Sequence, residues 1–212
     1  MGSDTDSNDD IVIFGHWVPQ SGKLDQLLAA LKPTRHGDNS MLVSLAAVSR
    51  KYLFTDDESF TSQKAYDAYL SSESKTTLDQ VCVNEDLLRE PQREHRLIPS
   101  TGFAFRSTGL YSAPGIHVAM AKINYAPGTR SQGIEQWQKV AASVEEYEKE
   151  GTHTYWFLAD PKDGNVLYSL ERYQDEKYLW DVHVPSLAIQ QNMKNQKYIR
   201  TGLLLRIFES VE

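Results

Sequence analysis

Two short segments, Thr101-Gly-Phe-Ala-Phe-Arg106 and Thr201-Gly-Leu-Leu-Leu-Arg206, follow one pattern: Thr-Gly, three apolar residues and Arg. A second pair of similar segments precedes them. Ile11–Pro19 and His117–Pro127 are apolar runs that end at a proline, and each is followed by a glycine and a helical pattern. Two similarities at comparable spacing indicate that the 212-residue chain is an internal duplication.

The second half of the chain predicts the order β-α-β-β-α-β. Apolar periodicity, turn residues and helix-capping residues define its elements. These are a strand at His117–Tyr125, a helix with Ile134, Trp137, Val140, Ala141, Val144 and Tyr147 facing inward, a hairpin of Thr152–Asp160 and Val166–Tyr173, a helix from Glu176 to about Val184 interrupted at Pro185, and a strand at Leu203–Phe208. This order is the ferredoxin-like arrangement.

The first half follows the same order less regularly. Its predicted elements are a strand from Ile11, a helix at Leu24–Leu31, strands at Met41–Val48 and Lys51–Thr55, a helix marked by Tyr66, Tyr69 and Leu70, and a strand at Gly102–Arg106. The stretch Leu88–Ser100, which contains two prolines and three arginines, predicts an irregular connection.

The fold class predicted is therefore α+β, with two tandem ferredoxin-like units. A ferredoxin-like sheet carries helices on one face only, so its other face must be buried against a partner. Two such units in one chain can close their antiparallel sheets on each other into a barrel. We expect an acidic, disordered tail at residues 1–10, a degenerate unit at 11–108 and a second unit at 115–212. A ligand pocket is expected between a sheet and its own helices.

Composition excludes several classes of function. The net charge of −7 and the absence of Lys/Arg runs argue against nucleic-acid binding. The single cysteine, Cys82, excludes an internal disulfide and predicts a small buried side chain. No apolar run is long enough to span a bilayer, and the N-terminus lacks the features of a signal peptide, so a cytoplasmic protein is expected.

Cofactor motifs are also missing from the sequence. The histidines show no metal-ligand spacing, so no metal site is expected. No glycine-rich phosphate loop and no nucleophile elbow occur, so neither a nucleotide cofactor nor a serine hydrolase is predicted.

The segment Tyr168–Ser186 resembles the antibiotic biosynthesis monooxygenase family. That family has a strand ending in Glu-x-aromatic, an acidic helix start and a His about ten residues after the aromatic residue. The corresponding positions here are Glu171, Tyr173, Asp175 and His183. The first half lacks the signature: Phe54-Thr-Asp56 stands in place of Glu-x-aromatic.

The resemblance implies a dimeric-type α+β barrel and small-molecule chemistry. Many members oxidise aromatic, polyketide-like substrates with O2 and without metal or flavin, and others degrade haem. Tyr173 stands where the haem-degrading branch has Trp, which argues against haem degradation. The resemblance therefore implies a cofactor-free oxygenase of secondary metabolism, a monomer with an internal pseudo-dimer that can still pair with a second copy.

The candidate site residues all belong to the second unit. His183 is expected on the inward face of its helix as a proton acceptor, and Glu171 on the helix-facing side of the sheet, with His183 among its candidate partners. Substrate-binding candidates are Tyr155, Trp156, Tyr173, Trp180, Trp137 and Ser169. Tyr155 and Trp156 point to opposite faces of one strand, so only one of them can reach the pocket.

Each candidate also has a structural interpretation: a core histidine, a structural Glu pair or a core aromatic. Three functions remain open at this point. The first is oxygenation. The second is an O2-independent reaction in the same pocket, namely cyclisation, dehydration or isomerisation. The third is non-enzymatic binding of a small molecule or partner.

Overall fold

A computed structural model describes residues 11–31, 43–47, 53–60, 62–104, 106 and 116–210, with backbone only at 43–47, 53–59 and 209–210. The strands are β1 (Ile11–Trp17), β2 (Val43–Ala47), β3 (Leu53–Phe60), β4 (Arg93–Phe103), β5 (His117–Tyr125), β6 (Thr152–Ala159), β7 (Val166–Tyr173) and β8 (Arg200–Ser210). The helices are α1 (Leu24–Leu31), α2 (Gln63–Leu70), α3 (Glu73–Asn84), α4 (Arg130–Tyr147), α5 (Glu176–Tyr178), which continues into a π turn (Leu179–His183), and α6 (Leu187–Asn195).

The eight strands form a closed antiparallel barrel in the order β1-β3-β2-β8-β5-β7-β6-β4. Each half of the chain contributes one ferredoxin-like sheet, in which the first strand pairs with the fourth and the third, and the third with the second. The two sheets join where the fourth strand of one unit pairs with the second strand of the other, as β4 with β6 and β2 with β8. The predicted tandem barrel is confirmed.

Strand alternation divides the core into separate layers. The barrel interior is filled from both sheets, by Val12, Phe14, Leu97, Ile116, Val118, Met120, Leu158, Leu170 and Phe208. Outside the barrel, each sheet packs against its own helices. Trp17, Leu27, Leu31, Leu78, Cys82 and Leu87 form that layer in the first unit, and a cluster around Trp137, Val144, Tyr155 and Phe157 forms it in the second.

The prediction for Leu88–Ser100 is wrong, because most of this stretch belongs to β4. Five of its eleven residues are exposed, five are half-buried and only Leu97 is buried, so the strand lacks an apolar signal. Pro99 lies where the pairing with β6 shifts register before Thr101. Such an irregularity tolerates a proline that a regular ladder would not.

Other element boundaries also differ from the prediction. Helix α3 was not predicted, β3 and β8 extend further than expected, and the expected helix 176–184 has a π turn in its second half. The predicted tail, residues 1–10, and the link between the units, apart from Ile116, lie outside the described residues. Cys82 is buried as predicted, and burial raises the pKa of its thiol to about 11.

Gly102 explains one copy of the repeated Thr-Gly pattern. Its φ of +88° lies in the region that favours glycine, and it pairs with Trp156 where β4 meets β6. A Cβ at this position would overlap the carbonyl oxygen of Tyr155. Gly102 thus permits the close approach of two strands that belong to different units.

No helix in the described ranges combines the length and the apolar character that a membrane crossing requires.

Candidate active site

A cavity of about 210 Å³ lies between the sheet and the helices of the second unit. Its floor is formed by β5, β6, β7 and β8, and its walls by α4, the π turn and α6. The lining is largely apolar, with a few polar side chains; the lining residues are Ala119, Ala121, Ile123, Trp137, Tyr155, Ser169, Glu171, Leu179, Trp180, His183, Val184, Ile189, Met193, Arg200, Leu203 and Leu205. The predicted location of the pocket is confirmed.

The cavity exists because small residues occupy the centre of its floor. Ala119 and Ala121 of β5 face the helices, and Ser169 of β7 pairs with Ala121 on the same side. Larger side chains, such as Trp137 and Tyr155, stand around them. Three adjacent small residues leave a space that the helices bridge and do not fill.

His183 and Glu148 form a buried pair at the cavity wall. His183 Nδ1 lies 2.9 Å from Glu148 Oε2, and both side chains are more than nine-tenths buried. Because a carboxylate oxygen accepts, Nδ1 carries the proton and Nε2 of the neutral ring is the acceptor. Nε2 has no hydrogen-bond partner among the described residues, and the imidazole lines the cavity. The ring is thus held in the orientation and tautomer that a general base requires.

Two further groups hold Glu148 in position. Thr152 Oγ1 donates to the same carboxylate oxygen at 3.0 Å. Arg106, which follows β4 of the first unit, donates to the carbonyls of Val144, Glu145 and Thr152 around the end of α4. Since Glu148 is the residue that ends α4, the first unit supports the pair through this guanidinium.

The π turn presents His183 to the cavity. Its wide hydrogen bond runs from the amide of Val184 to the carbonyl of Leu179 at 2.9 Å. Leu179 and His183 are buried, while Trp180 and Val182 are 45 % exposed. Local π geometry of this kind frequently occurs at functional sites.

Glu171 also lines the cavity, but its partner is not His183. Tyr173 donates its hydroxyl to Glu171 Oε2 at 2.8 Å, and the rings of Tyr173 and His183 are 5.1 Å apart. Burial raises the pKa of Tyr173 well above its usual value, and the charge of Glu171 raises it further. Tyr173 therefore stays protonated and lies beneath Glu171 and His183, outside the set of residues that line the cavity.

Tyr155 lies at the centre of the site. Its ring is 5.1 Å from that of His183 and 5.1 Å from that of Phe157. Burial raises the pKa of Tyr155 well above its usual value, followed by the charges of Glu171 and Glu148. The hydroxyls of Tyr155 and Ser169 are buried without a hydrogen-bond partner among the described residues.

The structure brings most of the predicted residues together. Trp137, Tyr155, Ser169, Glu171, Trp180 and His183 all line the cavity. Trp156 does not, because strand alternation directs it into the barrel interior, where it packs against the core that contains Leu158 and Leu170. Only one of the two neighbours Tyr155 and Trp156 reaches the pocket, as predicted.

Sequence reasoning missed Glu148 and misplaced Tyr147. Tyr147 was expected on the inward stripe of α4, but it is 75 % exposed, and Glu148 is 6 % exposed. Both positions continue the stripe from Val144, at the i+3 and i+4 spacings. A signal was therefore present: Glu148 falls one turn beyond Val144, on the face that the helix buries.

No group of three or more His, Cys, Asp or Glu side chains suited to a metal ion occurs in the described part of the chain.

Known structures share this fold at low sequence identity. A candidate monooxygenase from Lactobacillus acidophilus matches 95 % of this chain over 94 % of its own, with a TM-score of 0.80 and 10 % identity. An anthrone oxidase-like protein matches 98 % of this chain over 93 % of its own, with a TM-score of 0.67 and 9 % identity. A candidate antibiotic biosynthesis monooxygenase from Caulobacter crescentus matches 47 % of this chain over 92 % of its own, with a TM-score of 0.44 and 18 % identity.

No protein-family model and no curated protein matches the chain by sequence. Matches that extend over nearly the whole chain, such as the first two, agree with the barrel of two joined units described above. The resemblance that the sequence predicted is therefore confirmed at the level of the fold. The chain therefore shares the fold of these structures, an antiparallel barrel built from two ferredoxin-like units.

Proposed function

We propose that the chain is a cofactor-independent oxygenase that acts on a small aromatic, polyketide-like molecule in the cavity of the second unit. The observation that carries this proposal is the Glu148–His183 pair, held in the wall of an otherwise largely apolar cavity. A base in such surroundings can take a proton from a weakly acidic carbon or phenol, and the resulting anion is a reductant that reacts with O2.

The overall change balances without a further reductant. An activated CH2 group between aromatic rings loses two hydrogens and becomes a carbonyl. One atom of O2 enters the product and the other leaves as water. His183 takes the first proton at Nε2, and Glu148 stabilises the imidazolium that forms.

The size of the cavity supports a substrate with aromatic rings. An apolar cavity of about 150 Å³ takes up benzene, and this one is about 210 Å³. Trp180, Met193 and Leu203 at its edge are each 45 to 51 % exposed. These side chains form an apolar rim through which a flat molecule can enter. The name of the anthrone oxidase-like structure fits the same substrate class but belongs to that protein.

Oxygen uptake by the purified protein with anthrone tests the proposal. We expect wild-type protein to consume O2 and produce anthraquinone, and His183→Gln to lower the rate by about 10²- to 10⁴-fold. His95→Gln is the matched control, because His95 contacts Tyr168 on the barrel side of the sheet. Equal rates for wild type and His183→Gln would contradict the role of the base.

Anaerobic incubation separates oxygenation from the rival chemistry. A cyclase, dehydratase or isomerase would use the same base without O2. If wild-type protein converts anthrone-like substrates under strict anaerobiosis and His183→Gln does not, that chemistry replaces oxygenation as the proposed function. Tight binding with no turnover in either atmosphere would instead indicate a binding protein.

A further inference from the structure

Two buried hydroxyls in the cavity have no partner within the described structure. Tyr155 and Ser169 are both 0 % exposed, and neither Tyr155 Oη nor Ser169 Oγ has a hydrogen bond. A buried hydroxyl without a hydrogen bond destabilises the fold, because it has lost its bonds to water and gained none in exchange. A ligand that forms hydrogen bonds with both hydroxyls therefore gains binding free energy.

The two hydroxyls belong to one surface. Tyr155 pairs with Glu171 across β6 and β7, and Ser169 pairs with Phe157. Tyr155 and Ser169 are therefore diagonal neighbours on the helix-facing side of the sheet, where side chains lie within reach of one molecule. Both line the cavity that His183 also lines.

Charge around Tyr155 restricts what can bind there. Its pKa is raised by burial and by the carboxylates of Glu171 and Glu148, so the phenol keeps its proton and donates. An oxygen that accepts from it satisfies this donor. An anionic group placed there would meet the two carboxylates, so an uncharged ligand is favoured.

We infer that Tyr155 and Ser169 form a hydrogen-bonding subsite for a carbonyl or hydroxyl oxygen on an uncharged aromatic ligand. The inference rests on the cavity of the proposed function and specifies its substrate class. Because the Tyr155 and His183 rings are neighbours, a ligand anchored at this subsite lies beside the imidazole. The subsite thus orients the ligand for proton removal.

Equilibrium dialysis under anaerobic conditions tests the subsite with probes that differ in one group. We expect wild-type protein to bind 1-naphthol at least about tenfold more tightly than 1-methylnaphthalene, since one satisfied buried hydroxyl contributes on that scale. Charged 1-naphthoate should bind at least about tenfold more weakly than 1-naphthol. Equal affinity for all three probes would overturn the inference.

The variants Tyr155→Phe and Ser169→Ala should each reduce the preference for 1-naphthol, and the double variant should abolish it. Tyr168→Phe is the matched control, because Tyr168 packs against the core of the barrel interior. The double variant should bind 1-methylnaphthalene at least as tightly as wild type, which verifies its fold. A double variant that binds 1-methylnaphthalene and still prefers 1-naphthol would contradict the subsite.

The binding result is independent of catalysis. If no oxygen uptake occurs but the preference for 1-naphthol depends on Tyr155 and Ser169, the subsite stands and the oxygenase proposal fails. If oxygen uptake occurs and both variants retain the preference, the oxygenase proposal stands and the subsite fails.

Discussion

The layer between the sheet and the helices differs between the two units. In the first unit, Trp17, Leu27 and Leu78 belong to a closely packed cluster with Leu31, Cys82 and Leu87. In the second unit, the corresponding layer contains the cavity and its buried polar groups. Among the described residues, the same layer thus contains an apolar cluster in the first unit and a cavity in the second.

The side chains of the first strand in each unit account for part of this difference. Aligning Pro19 with Pro127 places Ile11 at the position of Ala119 and Ile13 at the position of Ala121. Both isoleucines are buried, at 1 % and 7 % exposure. We infer that the larger isoleucine side chains occupy volume that Ala119 and Ala121 leave open in the second unit.

The largest expected effect on stability is at Ile13. Ile13→Ala should lower the free energy of unfolding by about 2–5 kcal/mol, because it removes methyl groups from a buried side chain. Urea unfolding measures the change, and Ile13→Val, expected to cost about 0.5–1.5 kcal/mol, is the graded control. A loss of less than about 0.5 kcal/mol for Ile13→Ala would show that this layer is not closely packed.

The next effect concerns the buried pair of Glu148 and His183. The described residues of the first unit contain no such pair between sheet and helices. Glu148→Gln should lower kcat/KM with an active substrate by about 10²-fold, because an amide neither fixes the Nδ1–H tautomer as firmly nor stabilises the imidazolium. Glu148→Asp should recover part of the rate. The pH–rate profile checks the role: a merely structural glutamate would change stability and leave the profile unmoved.

The third effect is on ligand binding. It is expected when a small residue of the cavity floor is replaced by the isoleucine found in the first unit. Ala121→Ile should weaken 1-naphthol binding at least about tenfold, because the added methyl groups occupy the ligand volume. The free energy of unfolding should change by less than about 1.5 kcal/mol, since the side chain enters existing space. Ala121→Ser, which keeps a small side chain, is the control. Unchanged binding by Ala121→Ile would place the ligand elsewhere.

The smallest expected effect is a pH dependence of the free energy of unfolding, to which both units contribute. Burial lowers the pKa of His95 in the first unit and of His153 in the second below the usual 6.5. The charges of Arg106 and Arg172 lower the pKa of His153 further. The unfolded chain then binds more protons than the folded one just below pH 6.5, so stability falls as pH falls through that value.

Unfolding by urea at about pH 7.5 and about pH 5.5 measures this dependence. His95→Gln and His153→Gln should each reduce the loss of stability between the two conditions. A loss that is the same in wild type and both variants would contradict the assigned cause.

Much of the barrel could be predicted from sequence because the duplication and the periodicity of β5, α4, β6 and β7 are strong signals. Strand β4 could not be predicted, because Leu97 is its only buried residue. The strand is defined by its pairing with β1 on one side and β6 on the other. A strand defined by tertiary pairing carries little apolar alternation of its own. The side chains of β2 and of residues 53–59 in β3 are not among the described ones, so the degenerate character expected of the first unit stays a prediction.

Most residues that line the cavity could be predicted from the sequence, but their hydrogen-bond partners only in part. The Glu-x-aromatic pattern and its spacing to His183 located the cavity wall, and alternation assigned Ser169 and Glu171 to the helix-facing side. The partner of His183 was missed because Glu148 lies 35 residues earlier, at a helix end where several glutamates compete. Only the packing of α4 on the sheet selects which of them is buried.

A crystal structure with bound 1-naphthol or anthrone tests the central claim most directly. We predict that the ligand lies between the second sheet and α4, with its oxygen bonded to Tyr155 or Ser169 and its ring beside Nε2 of His183. The corresponding layer beneath α1 and α3 should contain no ligand. A ligand bound inside the barrel, or against the first unit, would contradict the assignment of the site to the second unit.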